Sequence, residues 1–233
     1  MFSTLVLFDI DGTILLTAGA GRRAITEAMG DLIADTTVVD RVRFDGKTDP
    51  QIVSELLEAG GHQAPGDTAV IESVCQRYVG LLAIELLQPR SRTTLMPGVM
   101  GLLAALEAEP GVMLGLVTGN VAQGAALKLK AGGIAPERFR VGAYGSDSAH
   151  RPDLPPIAAG RAAPHFGRVP RGRDVVIIGD TPADVTCGRG IQARAIGVAT
   201  GAYPVAALAD AGAHLAVADL SDTAHLLEAI LGQ

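Results

Sequence analysis

The chain has 233 residues, of which 48% are hydrophobic and 19% are charged, so it can bury a sizeable core and extensive disorder is excluded. Its formal net charge of −6 and its 3% aromatic content argue against nucleic-acid binding, which uses basic surfaces and stacking rings. No apolar run reaches transmembrane length, and the N-terminal LVLF segment is too short for a signal peptide. The two cysteines, Cys75 and Cys187, form no CxxC pair. We therefore expect a cytoplasmic protein with no membrane or nucleic-acid partner.

The chain begins with an apolar run, TLVLFDID (4–11), that predicts a strand. No convincing buried strand follows between about residues 18 and 95. This interval holds three helical patterns, RRAITEAMGDLI, PQIVSELLEAGG and TAVIESVCQRYVGLLAIELL, without an internal repeat. We therefore predict an all-helical insertion, here called the cap, over residues 18–95, and a core formed by residues 1–17 and 96–233.

Strand and helix patterns alternate through the rest of the chain. The apolar runs, typical of strands buried on both faces, are VMLGLVTGN (112–120), RVGAYGSD (140–147), DVVIIGDT (174–181), ARAIGVATG (193–201) and AHLAVADL (213–220). The helical patterns are GVMGLLAALEAE (98–109), NVAQGAALKLKAG (120–132), PADVTCGRGIQ (182–192) and SDTAHLLEAILGQ (221–233). Gly132 suits a helix stop, Pro182 a first helical turn, and Ser221 a helix cap. This alternation predicts an α/β fold with a doubly wound, Rossmann-like parallel sheet.

Polar residues follow three of the predicted strands where each strand ends. They are Asp9, Asp11, Gly12 and Thr13 after the first, Thr118, Gly119 and Asn120 after the second, and Asp180, Thr181 and Asp184 after a later one. Ligands of open parallel sheets bind outside these carboxyl ends. Several acids at one sheet edge would repel each other unless a cation neutralised them, and oxygen ligands suit Mg²⁺. Each motif alone could be an ordinary turn or helix cap, but their order and shared position favour a functional site.

Four segments resemble the motifs of the haloacid dehalogenase superfamily. They are DIDGT (9–13), VTGN (117–120), RPDL (151–154) and IIGDTPAD (177–184). The predicted cap resembles the helical insertion that follows the first motif in that superfamily. The resemblance covers essentially the whole chain, and MPGV (96–99) with the short cap looks most like the phosphoglycolate-phosphatase-like branch.

The resemblance implies a phosphatase that works through an aspartyl-phosphate. Asp9 would be the nucleophile, and Asp11 would be the general acid for the leaving alkoxide and then the base for water. Thr118 would bind the phosphoryl oxygens, with Gly119 and Asn120 beside it contributing to substrate binding.

The resemblance also implies a Mg²⁺ site at the same sheet edge. Asp180 would bind the ion directly, and Asp9 would share it. Asp11 would contribute its backbone carbonyl, and Asp184 would hold a metal-bound water or support the other ligands.

Asp11 narrows the reaction class. Dehalogenases of this superfamily lack an acid at that position, and phosphonate-cleaving relatives have a small residue there, so Asp11 favours phosphate-ester chemistry. Hydrolysis of a small phosphorylated metabolite is the prediction, with phosphoglycolate, sugar phosphates, nucleotides and pyrophosphate all open. A phosphomutase is the alternative enzyme, and a phospho-accepting receiver domain or a catalytically silent binding protein are less favoured alternatives.

The third motif normally contains a lysine, and here the corresponding residue is Arg151. Arginine keeps the charge but presents a planar fork that can bind two oxygens at once. Lys128 and Lys130 are the rival cations, and we expect both on a solvated helix face or near the helix C-terminus. Arg151 is therefore our assignment.

Within the cap, RFDGKTDPQI contains a turn that resembles the loop facing the active site in related phosphatases. Substrate contact by Gly46, Lys47 and Thr48 is one interpretation. The other is a simple helix cap by Thr48 or Asp49 beside a solvated Lys47.

Overall fold

The computed structural model describes residues 2–232, apart from the side chain of residue 31. The strands are β1 (Thr4–Phe8), β2 (Leu15–Leu16), β3 (Thr94–Leu95), β4 (Val112–Thr118), β5 (Val141–Tyr144), β6 (Val175–Gly179), β7 (Arg194–Val198) and β8 (Leu215–Val217). The α-helices are α1 (Ala20–Met29), α2 (Asp49–Ala59), α3 (Thr68–Glu85), α4 (Val99–Ala108), α5 (Ala122–Ala131), α6 (Leu154–Phe166), α7 (Pro182–Cys187), α8 (Val205–Asp210) and α9 (Thr223–Leu231). Among the described residues, none of the helices combines the length and apolar character that crossing a membrane requires.

Six strands form one parallel sheet in the order β5-β4-β1-β6-β7-β8. The six predicted strands are these six, so the predicted α/β class and parallel sheet are confirmed. β1 lies between β4 and β6. The chain adds β4 and β5 on one side of β1 before it adds β6, β7 and β8 on the other. The order of the strands reverses beside β1, which is where open α/β sheets bind their ligands.

Both faces of the central strand are covered. Val6 and Phe8 point into a cluster with residues of α4, α5 and α9, whereas Leu5 and Leu7 point into a second cluster with residues of α6. All four side chains are fully buried. Because neighbouring residues of a strand face opposite sides, burial of both faces produces a continuous apolar run rather than an alternating one.

Some helix ends agree with the sequence patterns and others differ. Gly132 ends α5 and Pro182 begins α7, as predicted. The α-helix that begins at Pro182 stops at Cys187, and residues 188–191 form a tighter 3₁₀ turn. The predicted cap at Ser221 is wrong, because the side chain of Asp222 accepts the His225 N–H at 3.1 Å instead. Gln233, the last residue of the predicted closing helix, lies outside the described residues.

The helices α1, α2 and α3 pack on one another around a hydrophobic cluster of their own, to which the core contributes Val121, the residue before α5. β2 and β3, two residues each, pair antiparallel where the chain leaves the core and returns to it. So short a pair shows no alternation in sequence, and we did not predict it. The separate cluster supports the predicted cap, although the domain boundaries stay a prediction.

Candidate active site

Three neighbouring strands deliver polar side chains to one edge of the sheet. Asp9 directly follows β1, Thr118 is the last residue of β4, and Asp180 directly follows β6. Each of the three residues is at most 6% exposed. Parallel pairing in register brings the three strand ends together, so the residues predicted from their positions along the chain do meet.

Three acids form a tight cluster at this edge. Oxygen atoms of Asp9, Asp180 and Asp184 all lie within 4.8 Å of one another. Helix α7 fixes the third acid through a capping box: Asp184 accepts hydrogen bonds from the Thr181 N–H at 3.0 Å and from the Thr181 hydroxyl at 2.6 Å. The cluster is therefore built by two strand ends and one helix N-terminus.

Crowding and burial disfavour the ionised forms of Asp9 and Asp180. Burial raises the pKa of Asp9 to about 7, with Arg151 opposing and Asp184 adding to the shift. Burial also raises the pKa of Asp180 to about 9, and the charges of Asp184 and Asp9 add to it. A divalent cation would reverse both shifts, and a set of carboxylate oxygens is the donor set that Mg²⁺ prefers. The residues therefore fit the predicted metal site.

Arg151 lies beside the proposed nucleophile. It begins a short 3₁₀ turn ahead of α6, and its side chain is 6% exposed. One terminal nitrogen of its guanidinium lies 3.0 Å from an oxygen of Asp9 and also bonds Asp184. The Nε–H has no acceptor among the described residues. The position suits the third-motif cation, whose role stays a prediction.

A second buried cation holds the other acid of the first motif. Lys128 donates to both carboxylate oxygens of Asp11, at 2.7 and 2.8 Å. The side-chain amide of Asn120 donates to the same carboxylate at 2.7 Å and to the Thr118 hydroxyl at 2.8 Å. The carboxylate of Asp11 is not part of the acid cluster, which agrees with a metal role expected only for its backbone carbonyl.

Of the two expected positions, the solvated face applies only to Lys130, which is exposed, because Lys128 is 5% exposed. Both lie in the last turn of α5, as expected. Lys128 occupies the face of α5 that also carries Gly124, one turn earlier, and this face packs against the cap helix α3. No local sequence signal marks this burial, because Asp11, the partner of Lys128, lies 117 residues away along the chain.

The cap segment RFDGKTDPQI (43–52), here called the cap loop, contacts the core at Gly119. The Asp49 N–H donates to the Gly119 carbonyl at 2.7 Å, and a Cβ added to Gly119 would lie 2.0 Å from the Lys47 carbonyl oxygen. Thr48 caps α2, accepting the Gln51 N–H at 3.2 Å, and its hydroxyl donates to the Ala149 carbonyl. The capping interpretation is therefore confirmed for Thr48 rather than for Asp49.

The other two loop residues have partners of their own. Gly46 adopts a φ of +75°, and an added Cβ would lie 2.8 Å from Ala183 of the core. The Lys47 ammonium pairs with Glu55 of α2, and its side chain is a quarter exposed. Lys47 also borders the cavity described below, so substrate contact by these residues stays a prediction.

Asp49 links cap and core, a role that the sequence did not indicate. Its carboxylate accepts the Val121 N–H at 2.8 Å, just before α5 begins, and the residue is 6% exposed. Burial raises the pKa of Asp49 to about 6, although Lys128 and the Val121 N–H oppose the shift. The folded protein therefore binds this proton more tightly than the unfolded chain does.

Replacing Asp49 with Asn should stabilise the protein at neutral pH relative to acid pH. Because the pKa of Asp49 is about 6 in the folded protein and 3.8 in the unfolded chain, ionising Asp49 lowers the free energy of unfolding. The loss is complete above about pH 6 and disappears as the pH falls towards 3.8. Asn keeps the acceptor for Val121 without the charge. The unfolding free energy of Asp49→Asn relative to wild type should be about 1–3 kcal/mol more favourable at pH 7 than at pH 4. Urea unfolding at both values measures it, with exposed Asp67→Asn as the control; a difference independent of pH would contradict it.

A cavity of about 230 Å³ lies between cap and core above the strand ends. Asp9, Asp11 and Thr118 line its floor, and the cap residues Phe44 and Tyr78 line its roof. This volume is below the roughly 300–1,000 Å³ of sites for drug-sized ligands. The arrangement can hold a small anionic substrate against Asp9.

Comparisons with known proteins agree with this arrangement. A family model described as haloacid dehalogenase-like hydrolase matches residues 6–189, which include all four motif segments. No curated protein matches the chain significantly. A hydrolase from Pseudomonas syringae is similar in structure, with a TM-score of 0.71 and 21% identity over 97% of this chain and 98% of its own.

Two further solved structures are similar over nearly their whole length. A predicted phosphoglycolate phosphatase from Haemophilus somnus has a TM-score of 0.69 and 20% identity over 97% of this chain and 98% of its own. CbbY from Rhodobacter sphaeroides, in complex with xylulose-(1,5)bisphosphate, has a TM-score of 0.72 and 20% identity over 95% and 96%. At this level of identity the likenesses show the fold.

The family match covers most of the sequence, from within β1 to just beyond α7. The prediction of a hydrolase and the resemblance stated from the motifs are thereby confirmed. This chain belongs to the haloacid dehalogenase-like hydrolase family.

Proposed function

We propose that this protein is a Mg²⁺-dependent phosphatase that hydrolyses a small phosphorylated metabolite through an aspartyl-phosphate intermediate. The observation that carries the proposal is the different surroundings of two acids of one motif. Asp9 is buried beside Arg151 in the acid cluster, whereas Asp11 is held apart by Lys128 and Asn120. One acid is thereby arranged to attack, and the other to exchange a proton.

In the first step, an oxygen of Asp9 attacks phosphorus and the bond from phosphorus to the leaving oxygen breaks. Asp11 transfers a proton to that oxygen, so that an alcohol departs rather than an alkoxide. The Nε–H of Arg151, which has no acceptor in the described part of the chain, and the hydroxyl of Thr118 can donate to phosphoryl oxygens. Such donation stabilises the charge in the transition state.

In the second step, water attacks the phosphorus of the aspartyl-phosphate. The carboxylate of Asp11 accepts the proton of the water, the bond to the Asp9 oxygen breaks, and inorganic phosphate is released. Both acids return to their starting protonation states. The cap, anchored on Gly119 and Val121, would keep bulk water away during the first step.

Asp9, Asp180 and the backbone carbonyl of Asp11 would hold Mg²⁺, with Asp184 supporting them through its own contacts. The bound ion supplies positive charge that offsets the crowded acids and the phosphate. The cluster of acid oxygens and the raised pKa values of Asp9 and Asp180 support this assignment. A reducing, cytoplasmic setting is proposed on the two buried free thiols, Cys75 and Cys187.

Purified protein with MgCl₂ should release inorganic phosphate from p-nitrophenyl phosphate and from members of a panel of phosphorylated metabolites. Removal of Mg²⁺ by EDTA should abolish release, and added Mg²⁺ should restore it. No release from any compound would contradict the proposal. Transfer of phosphate between positions of a sugar without release would instead favour a mutase, and one phosphate captured per chain without turnover would favour a receiver domain.

A further inference from the structure

The hydroxyl of Tyr78 is buried beside the cavity between cap and core. Tyr78 lies on the cap helix α3, is 1% exposed and lines the cavity above Asp9. Its hydroxyl has no hydrogen-bond partner among the described residues. Buried tyrosine hydroxyls almost always have one, so an unpaired hydroxyl at a cavity points to a group that the cavity receives.

This hydroxyl is a neutral donor. Burial raises the pKa of Tyr78 well above its usual value, and the charges of Asp49 and Asp11 add to the shift. The side chain therefore remains a phenol at neutral pH. A phenol donates a hydrogen bond to an oxygen of a ligand and does not repel an anionic one.

Gly21 lies close to the hydroxyl. A Cβ added to Gly21, on the cap helix α1, would lie 3.7 Å from the Tyr78 hydroxyl and 3.4 Å from the Lys128 ammonium. Gly21, Tyr78 and Lys128 all line the same cavity. The space beside Gly21 is therefore bordered by two hydrogen-bond donors, one from the cap and one from the core.

The space lies on the leaving-group side of the site. Lys128 bonds both oxygens of Asp11, the residue proposed to protonate the leaving oxygen. The group that departs would lie next to Asp11, and its remaining atoms would extend towards Lys128 and Tyr78, which line the same cavity. The walls around them include Ile25, Phe44 and Ile52, and the small volume admits only a short group.

We propose that Tyr78 and Gly21 form the subsite for the alcohol portion of the substrate, and that this subsite selects phosphate monoesters of short alcohols bearing a further oxygen. This rests on the proposed phosphatase function, and it names the substrate class. Tyr78 donates to the further oxygen, a hydroxyl or carbonyl, and Gly21 leaves room for it. The cavity of about 230 Å³ is small for a nucleoside, so we expect nucleotides to be poor substrates.

Binding to the Asp9→Asn variant in the presence of Mg²⁺ tests the subsite without turnover. Calorimetry compares glycerol 1-phosphate with propyl phosphate, which has the same carbon chain without the hydroxyls. The hydroxylated ester should bind about tenfold more tightly, the factor expected for a hydrogen bond to a buried donor. Adding Tyr78→Phe should remove this preference and leave the affinity for propyl phosphate within about twofold. Tyr144→Phe, on β5 outside the cavity, is the matched control.

Gly21→Ala tests the same space by filling it. The added methyl group makes only ordinary contacts, and alanine favours a helix, so the fold should be kept or stabilised. Affinity for glycerol 1-phosphate should fall about tenfold, with inorganic phosphate bound as before. Gly80→Ala, on an exposed face of α3 with nothing nearby, should change neither.

Equal affinity for the two esters in the parent variant would overturn the inference, and so would equal losses for both esters on Tyr78→Phe. In the active enzyme, kcat/KM for the two esters should show the same preference. Turnover of both esters without that preference would contradict the proposed subsite but agree with the proposed phosphatase function. Preferential binding of the hydroxylated ester without any turnover by the wild-type chain would contradict the proposed phosphatase function but agree with the proposed subsite.

Discussion

Replacing Asp9 with Asn should lower kcat for phosphate esters by about 10⁴-fold or more, because the amide has no anionic oxygen to attack phosphorus. The fold should survive. Burial raises the pKa of Asp9 to about 7, so a neutral side chain of the same shape is well tolerated there. Steady-state phosphate release and thermal unfolding of the same preparation measure the two effects.

A chemical readout separates the nucleophile from a binding residue. Acid quenching during turnover should trap one phosphate on Asp9 of the wild-type chain, detectable by mass spectrometry of the peptide, and none on Asp9→Asn. Asp67→Asn keeps a good helix cap on an exposed turn and should keep full activity. Substantial activity of Asp9→Asn, or phosphate trapped on another residue, would exclude Asp9 as the nucleophile.

The sheet was predictable because the residues of each buried strand are enough to identify that strand. A strand covered on both faces must be apolar at every position, and β1, β4 and β6 show this as unbroken runs. Helix ends were less certain, since a cap can shift by one residue at little cost. Ser221 and Asp222 are both good caps, and the structure uses the second.

The floor of the candidate site was equally predictable, since parallel strands place their carboxyl ends together. Reasoning from sequence named Lys128 only as a rival cation and Asp49 only as a possible helix cap, and it missed Tyr78; all three lie where the cap meets the core. Lys128, Asp49 and Tyr78 sit on helices whose partners are remote in sequence, and each would pass for an ordinary helix residue. Their roles arise from docking two units, which no local pattern records.

Docking also gives each acid of the first motif its own cation. Arg151, from the core, lies beside Asp9, and Lys128, under the cap, holds Asp11. The first cation would act on the phosphoryl group that every substrate shares. The second would orient the carboxylate of Asp11 for proton transfer, which matters only when the leaving group is a poor one. The two cations can therefore be distinguished by changing the leaving group.

Arg151→Met should lower kcat about 10²–10³-fold for p-nitrophenyl phosphate and for alkyl phosphates alike, since the transition-state charge loses its donor. Lys128→Met should lower kcat about 10²-fold for alkyl phosphates and less than about fivefold for p-nitrophenyl phosphate, because nitrophenolate departs without a proton. Lys130→Met, on the exposed face of the same helix, should leave both rates unchanged. Steady-state kinetics on both substrates provides the comparison.

Loss of Arg151 leaves the buried acids Asp9 and Asp184 without their cation, which can destabilise a protein by about 3–5 kcal/mol. Rates are therefore taken per folded molecule, and Arg151→Lys provides a milder variant that keeps the charge but loses the planar fork. We expect Arg151→Lys to be more active than Arg151→Met on both substrates. If instead Lys128→Met lost activity equally on both substrates while Arg151→Met retained it, then Lys128 would be the cation of the phosphoryl site. Arg151 would in that case serve only to neutralise the acids around it.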